Sequence, residues 1–222
     1  MRSRGIVSIG KIIKSVSLSV IFATSLFADD GVYMSVGVGV NTRSDSDITS
    51  NGAATASFEY DKGHFFNAAI GYAYSRYRID MEVFNSQNKV GNIVLGNSSA
   101  QASGTAKTYA QFVNVYYDYP LDDVWEVYAG VGAGRARLRL DNVRNESANV
   151  TIANGDDSAV VYQLKFGGAY SIREHLRLTL EGRYFRSGEM TYEDLASHTP
   201  FNIQRDEQIS FGIGLNYRFI ME

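Results

Sequence analysis

Ionisable side chains recur at every second position in several stretches of the chain. Arg78, Asp80 and Glu82 alternate with Ile79, Met81 and Val83, and Arg177, Glu181 and Arg183 alternate with Leu176, Leu178, Leu180 and Tyr184. Asp118, Glu126, Lys165 and Arg218 occupy the same kind of position beside Val, Leu, Tyr or Phe neighbours. Such groups could act as a general acid and base, gate an ion, or neutralise one another in a space with little water. Both signs occur in the set, so pairing is the expectation. Glu82, Glu126 and Glu181 then read as packing carboxylates rather than as a catalytic set.

Other motifs weigh against enzyme chemistry. Gly130-x-Gly132-x-Gly134 lacks the GxGxxG spacing and lies in a strand pattern with no helix after it, so no dinucleotide cofactor is expected. His64, His175 and His198 fall in three connections, with His175 at the opposite end from the other two, which rules out one shared metal. Ser197-His198 could suggest a lipid hydrolase, but no carboxylate on the adjacent strand face would orient the His, and no enzyme is expected. Asp45-Ser46-Asp47 and Asp156-Asp157 lack the ligand spacing and closing Glu of a calcium loop and read as solvated charge. Asn145-x-Ser147 and Asn149-x-Thr151 match glycosylation acceptors in pattern alone. With no Cys there is no thiol nucleophile, disulfide or Cys-ligated zinc, and a formal charge of −3 offers no basic face to nucleic acid.

The elements that position these residues begin after a leader. Arg2, Arg4, Lys11 and Lys14 precede a short apolar stretch over residues 15–27, and Ala28 precedes Asp29-Asp30. This pattern predicts a signal peptide over residues 1–28, since the stretch is too short to cross a bilayer as a helix. Removing 28 of the 222 residues leaves 194, and removing four of the 21 basic residues leaves 17 against 24 acidic, a formal charge of −7. The remaining segment, 29–222, reads as one domain. The 45% hydrophobic content of the full 222-residue chain suffices for a core, while its mean hydropathy of −0.18 and the lack of another long apolar run exclude a bundle of membrane helices. Abundant Tyr (15), Phe (12) and Gly (21) with only 2 Pro favour strands.

Eight segments alternate with period two. The clearest is the last, where Ile209, Phe211, Ile213, Leu215, Tyr217 and Phe219 alternate with Ser210, Gly212, Gly214, Asn216 and Arg218. The others centre on Val32 to Val40, Phe66 to Tyr74, Ile79 to Val83, Val113 to Tyr117, Val127 to Ala133, Tyr162 to Phe166 and Leu176 to Tyr184. After Ala133 the apolar residues move to Leu138 and Leu140 with Arg135, Arg137 and Arg139 between, which predicts a bulge or an exit from the sheet. Connections after strands two, four and six are short, whereas those after one, three, five and seven run over 41–64, 86–107, 141–158 and 187–205. An up-and-down meander would place all the long loops at one end, the pattern of a transmembrane β-barrel. Gly37, Gly39, Gly71, Gly130, Gly132, Gly134, Gly167, Gly212 and Gly214 all share the polar parity. The concave face of a small barrel is crowded, so this glycine-rich face is the lumen and the apolar face points outward. The charged set Arg78, Asp80, Glu82, Asp118, Glu126, Lys165, Arg177, Glu181, Arg183 and Arg218 is then a lumen network, expected as a paired plug. Tyr72, Tyr74, Tyr77, Tyr117, Tyr119, Trp125, Tyr170, Tyr217 and Phe219 would form one interfacial belt, and Phe66, Phe84, Tyr109, Tyr162 and Tyr184 the other.

Gly71-Tyr72-Ala73-Tyr74, Tyr77-Arg78-Ile79-Asp80-Met81-Glu82, Asn114-Val115-Tyr116-Tyr117-Asp118, the 128–134 run Tyr-Ala-Gly-Val-Gly-Ala-Gly and the closing Leu215-Asn216-Tyr217-Arg218-Phe219 carry a resemblance. Over nearly the whole segment 29–222 the chain resembles the small outer-membrane β-barrel proteins of the opacity-protein and surface-antigen group. The resemblance implies an all-β, eight-stranded antiparallel up-and-down transmembrane barrel in a Gram-negative outer membrane, in contact with lipid and lipopolysaccharide. It also implies insertion by the outer-membrane assembly machinery, for which Ser210, Gly212, Leu215, Tyr217 and Phe219 are similar to the recognised signal, although Ile220-Met221-Glu222 follow Phe219. The expected function is a surface-exposed structural or adhesion protein whose loops touch a host or cell-surface ligand. A narrow ion-conducting pore and a soluble lipocalin-like ligand-binding barrel are the alternatives.

Overall fold

In the computed structural model, residues 30–50, 53–95, 98–146, 150–188, 190–193, 200–203 and 206–219 are described. Regular structure among them is β throughout: β1 (Gly31–Arg43), β2 (Ser46–Ser50), β3 (Ala53–Tyr60), β4 (Gly63–Tyr74), β5 (Tyr77–Leu95), β6 (Ser98–Pro120), β7 (Trp125–Asn145), β8 (Val150–Arg173), β9 (Leu176–Ser187), β10 (Met190–Glu193), β11 (Pro200–Ile203) and β12 (Glu207–Arg218). Eight of them close into an antiparallel ring in the order β1-β4-β5-β6-β7-β8-β9-β12 and back to β1. One ladder row leads from Ala68 through Val83, Gln111 and Arg135 to Val160 on β8. Followed the other way, through Val36, Leu215 and Leu178, the same row reaches Tyr170. The two meeting points on β8, residues 160 and 170, differ by ten, a stagger that tilts the strands about 35–45° from the barrel axis.

The period-two pattern sets which way each side chain points. Val38, Ile79, Leu164 and Ile213 face outward and expose more than half of their surface, in a continuous apolar band that water would not tolerate and lipid matches. The opposite parity faces the lumen, where glycines make room for rings from neighbouring strands. A Cβ on Gly130 would lie 2.3 Å from the Tyr116 ring, one on Gly167 2.5 Å from Tyr128, and one on Gly212 2.5 Å from Phe65. The part of the lumen that the band encircles holds buried charged and polar side chains beside its rings, and so differs from the wholly apolar lining of a soluble lipocalin-like barrel. The two-residue turn between β4 and β5 puts Ser75 in the left-handed region (φ 55°), and its amide donates a hydrogen bond to Asp30 Oδ1 at 2.6 Å.

Two expectations from the sequence fail. β7 has no bulge after Ala133, for its ladders to β6 and β8 keep one register up to Leu140. Even-numbered residues point inward along this whole stretch; only the surroundings change. Outside, Ala133 gives way to Arg135, Arg137 and Arg139, while inside, Gly134 gives way to the buried Ala136, Leu138 and Leu140. The strand leaves the apolar zone without leaving the sheet. The long connections are also more ordered than expected, because β5, β6, β7 and β8 continue into them and β2, β3, β10 and β11 form within them. β3 replaces β4 beside the upper half of β5, β2, β11 and β10 follow in order, and β10 comes close to β8. These four strands and the upper halves of β5 to β8 make a second tier stacked on the first.

Candidate functional site

The lumen fills in layers, each set by residues of inward parity. Nearest the short turns, Arg78 forks onto Asp118 at 2.5 and 2.8 Å, and Arg177 reaches both oxygens of Glu126 at 3.1 and 3.2 Å. The Arg78 guanidinium also lies 5.5, 4.6 and 4.9 Å from the ring centroids of Tyr33, Tyr116 and Tyr128, close enough for cation–π attraction. Asp80 accepts hydrogen bonds from Tyr33 Oη at 2.9 Å and Asn114 Nδ2 at 2.7 Å. Arg218 is buried nearby, opposite Tyr33 in the β1–β12 ladder.

Glu82 is the hub of the next layer. Its carboxylate accepts hydrogen bonds from Arg183 Nη2, from Asn67 Nδ2 at 2.8 Å, and from Asn114 Nδ2 and Gln163 Nε2 at 2.9 Å each, and Lys165 Nζ stands 3.3 Å away. Lys165 also contacts Glu181 at 3.0 Å and donates to Tyr116 Oη at 2.9 Å, while Arg183 makes a second contact with Glu181 at 3.1 Å. Two cations and two carboxylates thus close a circuit. Taking such charges out of water costs several kcal/mol each and is offset only when every one is partnered. All ten charged residues singled out from the sequence lie in this lumen, five of each sign.

An aromatic layer caps the charges. Phe65, Phe84, Phe112 and Phe185 are buried together, with ring centroids 5.5 Å apart for Phe65 and Phe84, 6.2 Å for Phe84 and Phe185, and 6.0 Å for Phe112 and Phe185. Phe84 was expected in the outer belt, but it shares the parity of Glu82 and Ser86 and points inward, with 2% of its surface exposed and its ring 4.4 Å from the Arg183 guanidinium. Above the rings comes a second polar layer that sequence reasoning missed. Arg43 pairs with Asp206 at 2.8 Å and also bonds Thr108, Gln208 donates to Thr108 and Asp206, and Asn41 donates to Asn88. Its signal was available, since Asn41 and Arg43 continue the parity of Gly37 and Gly39, and Asp206 that of Gln208 and Ser210. The upper tier is filled by Phe58, Val90, Ile93, Leu138, Leu140 and Val143. A cavity of about 40 Å³ beside Asp80, Lys165 and Glu181 has room for a few water molecules, but a solute crossing the lumen would have to displace every layer.

Outside, aromatic pairs mark the turn end: Tyr77 with Tyr117 at 5.4 Å, Trp125 with Tyr170 at 4.9 Å, and Tyr217 with Phe219 at 5.0 Å. Phe66, Tyr109 and Tyr162 are exposed towards the other end. Higher still, in the second tier, the Lys107 ammonium hydrogen-bonds Asp141 and holds its carboxyl below the usual carboxylate range. On β12, Ser210 and Gly212 face the lumen while Leu215 and Tyr217 face outward, and Phe219, the residue after the strand, is exposed. His64 is exposed at the start of β4 and His175 lies at the far end, in the turn between β8 and β9. Among the described residues no group of three or more His, Asp or Glu could hold a metal ion. The leader 1–28, Ser147, Asn149, Ser197, His198 and the tail Ile220 to Glu222 lie outside the described residues.

Comparison with known proteins agrees with this geometry. A family model for the outer membrane protein beta-barrel domain matches residues 15–219. No curated protein sequence matches the chain. Among solved structures, Neisserial surface protein A is similar over 85% of this chain and 97% of its own, with 17% identity and a TM-score of 0.57. The outer membrane protein OprG from Pseudomonas aeruginosa shares 14% identity over 85% of this chain and 97% of its own, with a TM-score of 0.60. The outer membrane protein AlkL shares 16% identity over 91% and 98%, with a TM-score of 0.52. Identities this low speak for a shared fold. With its outward apolar band and flanking aromatic belts, the chain is a Gram-negative outer-membrane protein and belongs to the outer membrane protein beta-barrel domain family.

Proposed function

We infer that the protein is a closed, non-enzymatic anchor that holds a stiff β-sheet tier at the cell surface, where that tier contacts a ligand on a host cell, matrix or neighbouring cell. The observation that carries this reading is the division of labour between the tiers: the membrane tier is packed with ion pairs and phenylalanines, while the strands continue past the apolar band and present polar outer faces. A narrow ion pathway through Arg78, Glu82, Lys165, Glu181 and Arg183 gains no support from side chains that each make an ion pair across the lumen. Shortening residues 187–205, with barrel assembly intact, is expected to lower adhesion of expressing cells to host-cell monolayers and matrix-coated surfaces. Unchanged adhesion after all four extensions are trimmed would overturn the reading.

The last strand carries a second role in this account. Ser210, Gly212, Leu215, Tyr217 and Phe219 form the signal that the outer-membrane assembly machinery reads, supported by the outward aromatic pair of Tyr217 and Phe219 at the turn end. In a pulse-chase of expressing cells, Phe219→Ala should delay the appearance of the heat-modifiable folded form on unboiled gels. An undiminished rate contradicts this role.

A further inference from the structure

The outward face of β7 crosses the edge of the apolar band in four steps. Ala133 pairs with Val113 and Tyr162 in an apolar row; Arg135 pairs with Gln111 and Val160, Arg137 with Tyr109 and Ser158, and Arg139 with Lys107 and Asp156. The upper cations are compensated: Arg139 and Lys107 share Asp141 at 2.6 and 2.9 Å, and Arg137 contacts Asp156 at 2.6 Å. Arg135 is exposed and has no ion pair or hydrogen bond with a described residue. It lies on the rim of an open groove of about 510 Å³ that crosses the outside of the sheet from β4 to β8. Phe66, Val83 and Tyr109 floor the groove, Gln111, Arg135 and Arg137 rim it, and no carboxylate lines it.

The position of the groove fixes its surroundings. It begins where aliphatic residues stop and exposed Tyr and Arg begin, at the depth of lipid headgroups on the side of the second tier. A cation without an acidic partner there, an amide donor one strand away and an apolar floor below match an amphiphile with an anionic head and hydrocarbon chains. Guanidinium groups suit phosphate in particular, because their planar fork donates to two oxygens at once. We propose that this groove seats a phosphate-bearing glycolipid of the lipid A type from the outer leaflet, with its phosphate held by Arg135 and Arg137, a hydrogen bond from Gln111, and an acyl chain along Phe66 and Val83. The site is independent of whatever ligand the second tier meets. Arg137 exchanges part of its contact with Asp156 for the phosphate, so Arg135 carries the larger share of the attraction.

The test compares lipids as well as variants. The protein is placed in phosphatidylcholine vesicles doped with lipid A, or with the same lipid stripped of its phosphates, and the lipid retained on each barrel is counted by native mass spectrometry. The wild type should retain lipid A at least about tenfold better than the dephosphorylated lipid, the change expected from losing one charge-assisted contact. Arg135→Gln combined with Arg137→Gln should abolish that preference, while Arg76→Gln at the opposite end leaves it unchanged. Folding of each variant is read from its heat-modifiable migration. Equal retention of the two lipids by the wild type overturns the proposal even if no variant folds, and so does an undiminished preference in the folded double variant.

Discussion

Glu82 collects donors from four strands besides its own. Arg183 on β9, Asn67 on β4, Asn114 on β6, and Gln163 and Lys165 on β8 all converge on one carboxylate. Removing its charge leaves Arg183 and Lys165 to share Glu181 alone, and breaking a buried pair typically costs about 3–5 kcal/mol. Glu82→Gln should therefore lower the urea midpoint of the barrel refolded in lipid vesicles, and an unchanged midpoint would show that the circuit contributes little. The charged positions were legible in the sequence because alternation reveals which face a residue takes. Their partners were not: Glu82 and Arg183 stand 101 positions apart and meet only through the barrel stagger, which alternation does not encode. Phe84 follows parity rather than aromatic type, and so faces the lumen instead of the outer belt.

At the level of strands, the inward glycines define how large side chains pack. Gly130 faces the Tyr116 ring, and a branched side chain there would need space the ring already fills. Gly130→Val should cost about 1–3 kcal/mol by overpacking, or block assembly, and the loss should be seen as a reduced heat-modifiable fraction. Full recovery of folded protein at wild-type stability would mean that the layer can rearrange. β7 shows why the second tier escaped sequence reading. Its hydrophobic residues change sides after Ala133 although the strand continues, because lipid outside and charge inside give way to water outside and an apolar core inside. The swap imitates a one-residue shift of register. Segments read as loops for their polar residues were strands whose outer faces meet water.

For the molecule as a whole, the barrel could be read from the alternation of short and long connections together with the nine glycines of one parity, and the ring of eight strands follows that outline. The height of the barrel could not, since it depends on pairings above the apolar band, where β3 takes the place of β4 beside β5. The outcome is a filled cylinder: charge pairs, phenylalanines, the Arg43 and Asp206 layer and an apolar cap succeed one another along the axis. On the proposed reading as a closed anchor, such a body transmits no solute and holds its outer tier in place. Planar-bilayer recording tests it most directly. Wild-type protein inserted at neutral pH should show no reproducible openings, whereas stable, repeated conductance steps from the purified barrel would contradict the account.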